Sequence, residues 1–198
     1  MEFLDSIKAL IPDYAKDIRL NLDGALARSS LPAEDALGVA LAAAFAARSK
    51  PLVDALRAAT PPAEANAALT AAALMGMNNA WYPFVEMAGD EDLKSQRAEL
   101  RMNAYAASGG VAKRKFEAFA LAASIVGKCH FCVSSHYALL QKEGLTTQQL
   151  RDIGRIAAVV NAAAQVLAVS RAGRLALVRL QPSAATTRAV RRRQPSRL

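Results

Sequence analysis

Alanine-rich runs with helical spacing constrain this chain's fold most: LGVALAAAFAAR, AALTAAALMGM, FEAFALAASIV and IAAVVNAAAQVLAV. Alanine is the best helix former, and no β-branched, aromatic-rich alternating stretch competes with these runs. Glycine and proline are modest at 10 and 8 residues, so the expected fold is all-α. Apolar periodicity predicts helices at roughly 2–9, 12–28, 33–48, 50–59, 63–76, 91–106, 111–126, 129–143 and 147–169. Asp90 and Thr146 or Thr147 supply N-terminal caps, while Gly109-Gly110 and Gly144 supply stops. The short connections suit a helical bundle.

LGVALAAAFAARSKPLVDALRAA and FEAFALAASIVGKCHFCVSSHYALL read as a repeat offset by about eighty residues. In this alignment Lys128-Cys129 faces Lys50-Pro51. No cysteine or histidine precedes residue 129, so only the second copy is equipped for catalysis.

The formal charge of +8 divides unevenly. Residues 171–198 carry eight arginines and no acid, which leaves 17 basic residues against 17 acidic ones in the rest. The expected organisation is a neutral helical domain over 1–170 followed by an Arg-rich, disordered tail over 171–198. Arg191-Arg192-Arg193 is a basic cluster, but without interleaved aromatics or a folded reader it is a weak nucleic-acid signal. No apolar run of membrane-spanning length or signal-peptide core stands out, so no membrane partner is expected.

Cys129 and Cys132 are the only cysteines. Three residues apart in a chain expected to stay in a reducing compartment, they suit catalysis or metal binding better than a structural disulfide. On a helix, Cys129, Cys132 and His136 fall at i, i+3 and i+7 and share one face. One turn from Cys132, His136 is within reach of a thiol proton, and a thiolate is the nucleophile that opens a peroxide bond. Spacing does not say which cysteine attacks: Cys129 has an exposed helix N-terminus in its favour, Cys132 the imidazole. Glu117 sits in an otherwise apolar run, where a carboxylate needs a partner; an exposed pairing with Lys113 is its plainer reading.

Other readings of the pair fare worse. Haem attachment requires His where Val133 stands, and a thioredoxin fold requires a βαβ setting. Structural zinc requires a second ligand-bearing segment, so no metal is expected. Buried, inert cysteines are the plain alternative. His130 points away from Cys129 and reads as a solvent or subunit-interface residue. Met75, Met77 and Trp81 read as packing or subunit contacts.

The pattern Glu117, Cys129-x-x-Cys132, His136, together with Met77-Asn78-Asn79 and Trp81-Tyr82, closely resembles the AhpD family of alkyl hydroperoxide reductase components over roughly residues 1–169. The resemblance implies an AhpD-like helical array with an internal duplication, a cytoplasmic homotrimer and a lipoyl-dependent peroxidase. It makes Cys132 the peroxidatic cysteine and Cys129 the resolving one, with Glu117 and His136 as a proton relay. It implies no tightly bound cofactor and dihydrolipoamide as reductant. Its implied partners are the peroxiredoxin AhpC, a lipoylated acyltransferase and dihydrolipoamide dehydrogenase. The chain departs from the pattern at Phe131, where related proteins carry histidine. A non-redox enzyme or binding module of the carboxymuconolactone decarboxylase kind is the alternative from another class.

Overall fold

In a computed structural model, described over residues 2–180 with side chains over 2–170, ten α-helices are joined by short turns. They are α1 (Asp5–Lys8), α2 (Lys16–Ala27), α3 (Ala33–Ala46), α4 (Lys50–Ala59), α5 (Pro62–Ala88), α6 (Glu91–Ser95), α7 (Asn103–Ala106), α8 (Lys113–Gly127), α9 (His130–Lys142) and α10 (Thr147–Leu180). Single 3₁₀ turns lie at Glu2–Leu4, Asp13–Ala15 and Ser108–Gly110. No strand occurs among the described residues, and the all-α expectation holds.

Two alanine-rich helices form the centre. In α3 every residue from Gly38 to Ala44 is buried, and in α8 every residue from Phe116 to Ser124. A helix buried on all sides has no polar face, which is why these runs look uniformly apolar rather than amphipathic. They pack on each other, on α5 and on α10. Helices α3 and α8 approach closely at Gly38, where an added Cβ would lie 2.4 Å from the Phe119 ring. Apolar and long enough by composition to cross a bilayer, the Thr147–Ser170 stretch of α10 instead lies against α2, α3, α8 and α9, with Ile153, Ile156, Ala157 and Val160 buried.

Three expected boundaries move. The helix expected over 63–76 runs on to Ala88, through Pro83, and ends at Gly89 with φ 66°. Its extension is anchored where Asn79 Nδ2 donates to the Ala123 carbonyl of α8 at 3.1 Å. The helix expected over 91–106 is instead two short ones. Residues 96–101 bury no apolar side chain, and a short helix without packing is marginal. Finally, the helix expected over 147–169 continues to Leu180, and residues 181–198 of the expected tail lie outside the described residues.

The expected caps form. Asp90 accepts from the Asp92 and Leu93 N–H groups, and Thr146 with Gln149 makes a reciprocal cap at the start of α10. Asp152 of α10, fully buried, accepts from the Ser30 N–H and hydroxyl at 2.8 Å and from Arg155 at 2.9 Å. Burial alone would raise this carboxyl, but these bonds hold it at about 2. It ties the last helix to the loop that precedes α3.

Candidate active site

The site grows from the turn between α8 and α9. Lys128 closes α8 in the left-handed conformation, φ 57°, which costs a non-glycine residue about 1 kcal/mol. Its N–H donates to the Ile125 carbonyl at 3.2 Å, and the Cys129 N–H to Ser124 at 3.3 Å, so two helix-end carbonyls are satisfied. Extended at φ −84° and ψ 104°, Cys129 then caps α9. Its sulfur takes the Cys132 N–H at 3.2 Å, where a serine or aspartate oxygen usually sits.

Cys129 and Cys132 are joined in a disulfide, with Cα atoms 5.3 Å apart. The exposed position expected for Cys129 is not found: Cys129 is 0% and Cys132 2% accessible. The Cys129 side chain folds under the first turn of α9 and lies 3.9 Å from the Asn78 carbonyl of α5, within reach of a thiol donor once the bridge is reduced. Capping turns the residue inward.

Glu117 and His136 come together from α8 and α9. The Glu117 carboxylate, 1% exposed, meets His136 Nδ1 through Oε2 at 2.6 Å, and the Tyr105 hydroxyl donates to Oε1 at 2.5 Å. The pairing of Glu117 with Lys113 does not form; Lys113 reaches Glu143 at 3.8 Å instead. His136 Nε2 lies 3.2 Å from the Met75 sulfur. A thioether only accepts, so this contact is a hydrogen bond when Nε2 carries the proton. In the disulfide-bonded state Cys132 has no proton to offer, and both ring nitrogens of His136 are engaged elsewhere.

Burial would raise the Glu117 carboxyl, but the hydrogen bonds from His136 and Tyr105 outweigh it and hold the group below the ordinary carboxylate range. Conversely, burial and the bond to Glu117 push the Tyr105 phenol well above its ordinary value, so it stays a donor. An ionised carboxylate backing an imidazole fixes the ring's orientation, as in hydrolase triads.

A cleft of about 260 Å³ opens over this network, lined by Cys132, His136, Tyr105, Asn78, Tyr82 and Phe131 among others. Cys132 lines it and Cys129 does not. Tyr105 escaped sequence reasoning because it belongs to a four-residue helix without periodicity, and nothing local marks it as Glu117's partner. Met75 is core, as read from sequence, but its sulfur also meets the imidazole. His130 is exposed, with Nδ1 3.2 Å from Glu86 Oε1. Among the described residues no three His, Cys, Asp or Glu side chains gather as a metal-ligand set.

Residues 91–174 match the family model described as the carboxymuconolactone decarboxylase family. The chain is also similar to three proteins each described as alkyl hydroperoxide reductase AhpD. That of Rhodospirillum centenum is 43% identical, over 83% of this chain and 90% of the relative. The Streptomyces coelicolor protein is 42% identical, over 80% and 91%, and the Maricaulis maris protein 41% identical, over 83% and 97%.

Proposed function

Because the chain belongs to the alkyl hydroperoxide reductase AhpD family, and is accordingly a peroxide-reducing oxidoreductase, we propose that it works by a Cys129/Cys132 dithiol–disulfide cycle. One observation carries the assignment of roles: Cys132 lines the cleft beside His136 and Tyr105, while Cys129 lies behind it. Cys132 is therefore the attacking thiol and Cys129 the resolving one.

In the dithiol form His136 takes the Cys132 proton, and Glu117 stabilises the resulting imidazolium. The thiolate attacks the terminal oxygen of the hydroperoxide and the O–O bond breaks. The leaving alkoxide takes the proton from His136, giving an alcohol and a Cys132 sulfenic acid. Cys129 then attacks the Cys132 sulfur, hydroxide departs with the thiol proton as water, and the disulfide returns. A dithiol restores both thiols and itself becomes a disulfide.

The reductant we propose is dihydrolipoamide on a lipoylated acyltransferase, recharged by dihydrolipoamide dehydrogenase. Support of the peroxiredoxin AhpC, assembly as a homotrimer and a cytoplasmic setting belong to the same proposal, and the chain itself then needs no bound cofactor. The test is peroxide consumption driven by dihydrolipoamide. Cys132→Ser is expected to abolish it, and Cys129→Ser to slow it, because the Cys132 sulfenic acid must then be reduced by the external dithiol alone. Wild-type rates in both variants would remove the cycle and leave the non-redox alternative.

A further inference from the structure

Beside the cleft over Cys132 lies a second, larger one of about 540 Å³, and the two share a wall. That wall is the stacked pair Tyr82 and Phe131, ring centroids 4.3 Å apart at 26°. Beyond it the floor is apolar, with Trp81 and Val85 from α5 and Leu93 from α6. Phe131, at the rim, is 56% exposed.

Its charged lining residues are paired. Glu86 faces His130 at 3.2 Å, and Lys94 faces Glu91 at 2.5 Å. The pocket therefore offers apolar area, and each of its charged side chains already has a polar partner. Its size falls within the range of roughly 300–1,000 Å³ typical of small-molecule sites, whereas the cleft over Cys132 is smaller than that. A peroxide group needs only the small cleft, and the adjoining pocket gives a larger organic remainder room beyond it.

We infer that the larger pocket holds the hydrocarbon part of an organic hydroperoxide whose –OOH group sits at Cys132, with Phe131 and Tyr82 as the ledge between them. The inference rests on the peroxidase reading above. Burying alkyl or aryl surface against Trp81, Val85 and Leu93 favours large organic hydroperoxides over hydrogen peroxide, which has nothing to place there. Phe131 helps by extending apolar surface up to the reactive cleft.

Trp81 is the chain's only tryptophan, so its fluorescence reports binding without any reaction. Titration with 2-phenyl-2-propanol, the alcohol left by cumene hydroperoxide, is expected to give a saturable change that Val85→Asp and Leu93→Asp each abolish. In steady state the ratio of kcat/KM for cumene hydroperoxide to that for hydrogen peroxide should fall about tenfold in both variants. Circular dichroism checks that both are folded, and either variant alone suffices. An unchanged ratio without saturable fluorescence would overturn the inference while leaving the peroxidase intact. Two other outcomes also overturn it: a rise confined to the KM for dihydrolipoamide, which makes this the reductant's site, and a change of sedimenting mass, which makes it a contact between copies. A wild type with saturable alcohol binding but no peroxidase activity would instead sink the proposed function.

Discussion

Helices α3–α4 and α8–α9 make the same turn eighty residues apart, yet only one carries chemistry. Arg48 and Lys128 both adopt φ 57°. The Ser49 N–H donates to Ala44 as the Cys129 N–H does to Ser124, and Val53 donates to Ser49 as Val133 does to Cys129. In this register Ser49 stands for Cys129, Leu52 for Cys132, Leu56 for His136 and Leu37 for Glu117. The alignment therefore pairs Arg48, not Lys50, with Lys128; the two lysines are two residues out of step. Leu52 and Leu56 are fully buried. A pair of core leucines in one copy becomes a thiol and an imidazole in the other, at positions where the backbone is indifferent to the exchange. The second copy can bury them because Glu117, Tyr105 and Met75 supply polar partners.

The comparison can be pressed hardest by moving the cysteines. With Ser49→Cys and Leu52→Cys in a Cys129→Ser, Cys132→Ser background, the first turn acquires a CxxC without a carboxylate–imidazole pair. Dihydrolipoamide-dependent peroxidase activity should stay below about a thousandth of wild type, since acid–base help at a thiol is worth about that much. Recovery of activity would show that the turn alone suffices.

Next in size, Leu56→His copies His136 into the first half without its partners. Denaturant unfolding should reveal a loss of about 3 kcal/mol, the cost of an unsatisfied buried polar group in place of a core leucine.

A smaller effect is expected from the tie between the last helix and the first half. Asp152→Ala should cost about 2 kcal/mol by the same assay, from its charged hydrogen bonds. The Asp152 carboxyl is lowered from its ordinary value of 3.8 to about 2, so its contribution is complete above about pH 4 and lost as the pH falls toward 2. In Asp152→Ala the stability curve should lack this acid-side decline.

Tyr105→Phe should change least, lowering kcat/KM about fivefold, the worth of one hydrogen bond to a buried carboxylate. Without the hydroxyl the Glu117 carboxyl rises toward its ordinary value, so the acid limb of the pH–rate profile should move to higher pH. A merely structural tyrosine would lower the rate without moving that limb.

Much of this was legible in the sequence because it depends on local spacing. Cys132 and His136 lie one turn apart, so any helix here puts them on one face, and the alanine runs leave no other secondary structure. Asp90, Thr146 and Gly144 act on neighbours within a few residues, and they are found where expected. Residues whose partners are distant were read less well. Glu117 looked as suited to Lys113, four residues away, as to a histidine nineteen residues on. Tyr105 and Met75 carried no local mark, and Cys129 looked exposed because a cap's inward turn depends on what lies beneath it.

The sequence by itself determined an all-helical chain with one chemically equipped copy of a repeated unit, because helix periodicity and residue type are properties of short segments. Only the tertiary structure decided which groups Glu117 and His136 would touch, which cysteine would line the cleft, and that an apolar pocket would adjoin it. Those outcomes depend on how α5, α7, α8 and α9 approach one another, and side chains far apart in the chain meet only when burial of the α3 and α8 surfaces brings the helices together.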